Sequence, residues 1–477
     1  MSPRTLLLAL LVTELLATLA DLLLGPWLGL APEEAHNARA GLLVACGHYD
    51  DLWAMQYRDF CGGCSAEAVM AAPLVRGLGP SVLAWKLVPA LLHLAVVGGA
   101  AAWAARRLGA RGAALVVLLL AGAPGFYRAL ALTGFGNHAE SSAFPLVAAA
   151  LLLVEGPRLL RFGAGLLAGG VAGLGLWFCY TSAHGLPALL LVVALGGRWR
   201  APGFVLGLPV GALPWWAYHH TRPAALQEAG GWWTTLHPAP PGELVDWLFG
   251  DFVRLGLWPP VEHGALGPFP DLWWGLAWVL AALGAALSLR RAPFPATALL
   301  TLLAAFALRY DLWDDSTRDP AAAAFLLRYR APLIPLLAMN IAAAWALARR
   351  GRSWILAAAL ALALSGVALR VSQWTHPPGR ALAPLALLDG EADRTVPAGL
   401  PPERLPRDQG RPQDIDAALA FLRAHQDPLP ACRALHVQEL GRRMGLSGAE
   451  DRLEEAQALG APEALARGLE AGAAQRR

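Results

Sequence analysis

Long apolar runs fill the chain from residue 4 to residue 370, separated by polar connections of very unequal length. The first run covers residues 4–30. Others lie near 81–105, 112–127, 140–154, 163–180, 185–196, 201–218, 272–289, 294–308, 326–348 and 353–370. A helix needs about 20 consecutive apolar residues to cross the hydrocarbon core of a bilayer. The pattern therefore predicts an all-α polytopic membrane protein with about eleven transmembrane helices. The runs at 140–154 and 185–196 are short for one span, which predicts tilt, a break or a re-entrant course. The first run is long and lightly charged at its start, so it reads as a retained anchor and not as a cleaved signal peptide.

Beyond residue 370 the pattern changes. A Pro-rich stretch, Thr375-His376-Pro377-Pro378 and then Pro397 through Pro412, reads as a semi-rigid linker. From Asp414 apolar residues recur at Ile415, Ala418, Leu419 and Leu422, a helical spacing. Two domains are expected: a transmembrane domain over 1–370, and an extracytoplasmic region over 371–477 that is helical or partly disordered. Two loop segments also carry a helical period. Residues 32–44 open with Pro32, Glu33 and Glu34, as a helix N-terminus does. Segment 241–257 places Leu244, Val245, Leu248, Phe249, Phe252 and Val253 at helical spacing. Both read as amphipathic helices on the outer surface.

Composition supports the class: 56 % of residues are hydrophobic and only 15 % charged. Charge distribution supplies a direction. Arg106, Arg107 and Arg111; Arg158 and Arg161; Arg198 and Arg200; Arg290 and Arg291; and Arg349, Arg350 and Arg352 fill every second connection. By the positive-inside rule those turns, and the N-terminus, are cytoplasmic. Segments 31–80, 123–139, 219–271, 309–325 and everything after 371 then face outward from the cytoplasmic membrane. They hold most of the acids and four of the five Cys. An outer location permits disulfides. The arginines are spread over loops and tail, which argues against a nucleic-acid partner.

Candidate chemistry lies on the outward side. Glu33-Glu34 offers a carboxylate that can act as general base toward a hydroxyl, or a charged first helical turn. Thr133 through Ser142 crowds Asn137, His138 and Glu140 at the mouth of a span, either as a polar site or as an interfacial cap. Leu327-Arg328-Tyr329-Arg330 and Lys86, the only lysine, stand at the outer ends of spans. They suit phosphate oxygens, or serve as snorkelling anchors. Cys61-Gly62-Gly63-Cys64 favours a structural disulfide, with Cys46 as a further candidate. Two Cys do not complete a metal site; no cofactor is implied, and the use of a divalent metal is left open by the sequence. Most of the 19 Trp read as an interfacial belt. Glu14 and Asp21 fall seven apart on one face of the first run, so they must face protein or water.

These features together resemble the GT-C glycosyltransferase superfamily, and more narrowly the bacterial dolichyl-phosphate-mannose-protein mannosyltransferase-like and aminoarabinose transferase-like enzymes. The matching elements are Pro32-Glu33-Glu34-Ala35, Gly47-His48-Tyr49, Pro73, Gly77-Leu78-Gly79-Pro80, and Arg328-Tyr329 with Pro332 and Pro335. The likeness covers about residues 1–350. Glu33 stands where the family usually has Asp, and neither the CGGC element nor the tail is a general family feature. The resemblance implies transfer of a sugar from a polyprenyl-phosphate donor to a lipid, glycan or protein acceptor at the outer membrane face. Glu33, with Glu34 second, would be the base, and His138 and Glu140 would orient a substrate. Lys86, Arg328, Tyr329 and Arg330 would meet the donor phosphate. A transporter or lipid flippase using Glu14 and Asp21 is the alternative, and a membrane thiol oxidoreductase using Cys61 and Cys64 a further one.

Overall fold

Ser2 starts the first helix. Its Oγ accepts from the Thr5 amide at 3.1 Å and Pro3 follows at the first helical position, where its missing N–H costs nothing. Helix α1 then runs over Pro3–Leu24. The computed structural model describes residues 2–25, 32–46, 63–134, 136, 138–196, 199–221, 266–308, 330–348, 350–374, 453–458 and 462–476, with isolated positions at 238–249 and 437–444. The Arg328-Tyr329 pair, Cys61, most of segment 241–257 and the Pro-rich linker lie outside them.

Regular structure among the described residues is helical. After α1 come α2 (Pro32–Ala45), α3 (Gly63–Leu78), α4 (Val82–Arg107), α5 (Gly109–Ala121), α6 (Gly125–Ala131), α7 (His138–Ser141), α8 (Ala143–Leu151) and α9 (Arg158–Phe178). A 3₁₀ turn at Tyr180–Gly185 leads to α10 (Leu186–Leu195), α11 (Arg200–Gly211) and α12 (Leu213–Thr221). Then follow α13 (Phe269–Ser288), α14 (Pro293–Leu308), α15 (Leu333–Leu347), α16 (Arg352–Ser372), α17 (Leu453–Gln457) and α18 (Pro462–Arg476). Their starts follow local chemistry. Ser81 Oγ accepts the Ala84 amide at 3.2 Å to cap α4, and Pro270 with Asp271 opens α13.

Each of the eleven apolar runs contains helix, and among the described residues five or six candidate spans are shown, not eleven. Five helices are long and apolar enough to cross a bilayer alone: α1, α4, α9, α13 and α16. A sixth arises if α5 and α6 are one broken span, bent by 91° at Gly122–Pro124. The runs at 140–154, 185–196, 294–308 and 326–348 give apolar helices shorter than 18 residues. The short helices at 140–154 and 185–196 agree with the tilt, break or re-entrant course expected there, and apolarity alone does not tell a spanning helix from one ending inside a bundle.

The chain divides into two compact units. One comprises Met1–Gly29, Trp53–Glu67 and Lys86–Ala381; the other comprises Leu30–Leu52, Ala68–Trp85 and Leu382–Arg477. In the first unit, glycines set the closest approaches. Gly165, Gly169 and Gly173 of α9 face the backbone of α11, and Gly203, Gly207 and Gly211 of α11 face that of α9. A Cβ at any of these six would run into main-chain atoms, so the four-residue glycine spacing lets two helices touch backbone to backbone. Gly122, after α5, and Gly366 of α16 form a similar crossing. In the second unit, the α2 position Gly41 faces Ala71 and the Trp85 ring. Past residue 437 the tail has an apolar core of its own: Val437, Leu440, Met444, Ala456 and Leu465, with Leu453 and Leu469 against it.

Candidate functional site

The α2 helix buries one face, formed by Glu34, Asn37, Ala38, Gly41, Leu42 and Ala45. Its positions follow the 3.6-residue period, but two of them are polar, so this is not a simple apolar stripe. Glu34 is 0 % exposed. Glu33 is part of α2, and its side chain lies outside the described residues. The Arg76 guanidinium donates to the Ala45 carbonyl at the end of α2, tying it to α3.

Glu140 sits in the single turn of α7 and is buried. The Ser182 hydroxyl, from the 3₁₀ turn, donates to the Ser141 carbonyl at 3.3 Å and to the Gly175 carbonyl at 2.8 Å. The polar turn is thereby joined to α9. The His138 side chain is outside the described residues. Lys86 and Arg330 are buried, at 1 % and 2 % exposure. A snorkelling side chain keeps its charge in water, so burial to this degree argues against that reading for both. Buried charges are kept where they are paired or used.

Cys46 is disulfide-bonded. Cys179 is free and buried, so the other half of the bridge lies among side chains outside the described residues. Among the described residues no three His, Cys, Asp or Glu side chains come together as a metal site.

The most developed polar cluster lies inside the first unit. Glu14, Thr18 and Asp21 line one face of α1 and are buried. Arg128 of α6 donates from Nη1 to Glu14 Oε1 and from Nη2 to Asp21 Oδ2, both at 2.7 Å. Arg370 of α16 donates from Nη1 to Glu14 Oε2 at 2.9 Å, and its Nη2 lies 2.8 Å from Asp21 Oδ2. Trp374 Nε1 donates to Asp21 Oδ1 at 2.7 Å. Two carboxylates thus meet two guanidiniums, and the formal charges cancel. His93 of α4 completes the group. Its Nε2 lies 2.6 Å from Arg128 Nη1 and 3.2 Å from Glu14 Oε1. Nε2 thus faces both a guanidinium, which only donates, and a carboxylate, which only accepts.

Sequence reasoning placed Glu14 and Asp21 against protein inside the bundle, and there they are. It did not find Arg128, Arg370, His93 or Trp374. The available signal was that charges within or beside apolar runs require partners of opposite sign. It also passed over Glu67, a fully buried acid in α3 near the CGGC element.

The fold is that of the GT-C membrane glycosyltransferases, as the sequence resemblance implied. Over 98 % of its length the chain matches the crystal structure of ArnT from Cupriavidus metallidurans in the apo state, with TM-score 0.50, 16 % identity and 75 % of that chain covered. ArnT bound to undecaprenyl phosphate gives 0.49 at 17 % identity, covering 98 % of this chain and 76 % of that one. The Archaeoglobus fulgidus oligosaccharyltransferase in complex with Zn and sulfate gives 0.48 at 15 % identity, covering 88 % and 56 %. No family model matches the chain, and no curated protein matches it. At this identity the likeness is one of fold.

Proposed function

We propose that the chain is a membrane glycosyltransferase that moves a sugar from a polyprenyl-phosphate donor to a lipid, glycan or protein acceptor at the outer face of the cytoplasmic membrane. The observation that carries this reading is the fold shared with ArnT over nearly the whole chain. ArnT itself binds undecaprenyl phosphate. The burial of Glu34, Lys86, Glu140 and Arg330, polar candidates named from the sequence, supports it further.

In this reading the acceptor oxygen attacks the anomeric carbon as the bond to the phosphate oxygen breaks. Glu33 takes the acceptor proton, with Glu34 the second choice. Negative charge builds on the departing polyprenyl phosphate, where Lys86, Arg328, Tyr329 and Arg330 would meet it. His138 and Glu140 would orient a sugar or acceptor. The N-terminus would be cytoplasmic and the 371–477 region extracytoplasmic. A transporter reading would use Glu14 and Asp21 as mobile charges, yet both are committed to Arg128 and Arg370.

The test is to incubate purified protein with a labelled polyprenyl-phosphate sugar and membrane lipid extract. Transfer of label to acceptor, with release of polyprenyl phosphate, is the expected result. Absence of transfer from every sugar donor offered, by protein that still binds polyprenyl phosphate, would remove the enzyme reading.

A further inference from the structure

Three helices begin around one cavity, and each brings an arginine to it. The cavity has a volume of about 510 Å³. It is lined by Arg4 in the first turn of α1, Arg111 in the first turn of α5 and Arg352 at the first position of α16, together with Leu108, Gly109 and Trp345. No carboxylate is among its lining residues, and no described acid pairs with any of the three guanidiniums.

Some other arginines of the same unit have polar partners. Arg128 and Arg370 are matched by two carboxylates. Arg106 donates to the Ala150 carbonyl, and Arg200 to the Gly196 and Val154 carbonyls. Sidedness alone asks for basic residues in these turns. It does not ask that three from remote parts of the chain converge on one hollow.

The cavity also has the features of an anion site apart from charge. Neither α5 nor α16 has a side-chain cap, so their first amides are left for an external acceptor. The Arg352 guanidinium lies over the Trp345 ring, 4.6 Å from its centroid, which holds the fork in place before a ligand arrives. A planar fork suits the oxygens of a phosphate. Leu108 and Trp345 give the hollow an apolar wall, and its volume is in the range of ordinary ligand sites.

We propose that this cavity binds a phosphate ester, presented by the headgroup of an anionic phospholipid at the membrane face where α1, α5 and α16 start. It is independent of the glycosyltransferase reading.

The experiment measures lipid binding to the full chain in detergent by native mass spectrometry, titrating phosphatidylglycerol and, in parallel, phosphatidylcholine. The variants are the Arg4→Gln, Arg111→Gln and Arg352→Gln triple, the Arg111→Lys and Arg352→Lys double, and Arg158→Gln on another basic turn. Removing a basic side chain should weaken phosphatidylglycerol binding about fivefold, and all three on the order of a hundredfold. The Lys double should keep most of the affinity, and Arg158→Gln all of it. Competition by millimolar glycerol phosphate would make a soluble phosphate ester the source of the same chemistry; no competition would assign it to lipid. Equal affinity in the wild type and the Gln triple would overturn the proposal. So would a loss in the Gln triple that comes with a lowered thermal midpoint while the Lys double binds no better, since that would reflect folding and not charge.

Discussion

Arg370 Nη2 lies 2.8 Å from Asp21 Oδ2, so helix α16 is tied to helix α1 by a buried ion pair. Arg128 approaches the same two carboxylates from α6. Removing Arg370 leaves two buried acids facing one guanidinium, and breaking a buried pair from one side is destabilising by about 3–5 kcal/mol. Arg370→Met should lower the thermal midpoint in detergent sharply. Adding Asp21→Asn should recover part of the loss, because it removes the stranded charge. If the single variant melts with the wild type, the cluster contributes nothing to stability.

The two glycine ladders make a sharper pair. At Gly169 an added side chain meets the Phe204 carbonyl of α11, whereas at Gly170 the nearest neighbour of a Cβ is the Gly207 carbonyl at 3.9 Å. Gly169→Val should drive α9 and α11 apart, with a loss of at least about 1–3 kcal/mol by overpacking. Gly170→Ala should be tolerated. Thermal melts of the two variants decide it, and equal melts would mean the crossing relaxes freely.

Glu33 and Glu34 are neighbours on α2, pointing about 100° apart, and Glu34 turns to the packed face. With Glu33 as base, Glu33→Gln should lower turnover roughly 10²–10⁴-fold while donor binding persists. Normal turnover in both Glu33→Gln and Glu34→Gln, with Glu140→Gln inactive, would move the catalytic carboxylate to the α7 turn.

Cys46 is bridged and Cys179 is not. Alkylation of denatured, unreduced protein should label Cys179 and spare Cys46, as read by peptide mass spectrometry. Reduction should lower stability by about 2–5 kcal/mol, the usual range for a native bridge. Labelling of Cys46 without reductant would contradict the bridge.

Orientation rests on the arginine alternation. A phosphatase fused after Arg370 should be active outside the cytoplasm, and one fused after Arg200 inactive. The reverse pattern would put the proposed sites in the wrong compartment.

How much of this was readable beforehand depended on distance along the chain. The apolar runs are local, and helices formed in all of them. The acids at Glu14 and Asp21 announced that they needed partners, because an unpaired carboxylate in a bilayer is so unfavourable. Their partners could not be named. Arg128 stands just past an apolar run, in a stretch read as an outer loop, and the 91° bend after Ala121 returns it to the bundle. Arg370 looked like the polar end of a run. The glycine spacing at 165, 169 and 173 and at 203, 207 and 211 was present in the sequence, but only the folded chain shows that the two ladders face each other. At the candidate site, the buried side of α2 holds Glu34 and Asn37 where an amphipathic surface helix would bury apolar groups, so periodicity alone misjudged that face.

The ion cluster also has a consequence for biosynthesis. Helix α1 leaves the ribosome well ahead of α16, and Arg370 is made only after α1–α15. Until then Asp21 and Glu14 have at most the Arg128 guanidinium, and before that none. A membrane-inserted Asp is unfavourable by about 2.5–3.5 kcal/mol at mid-bilayer on the insertion scale. A helix made early is therefore electrically completed only late, and a nascent chain that stops short of α16 carries a visible mark of being unfinished.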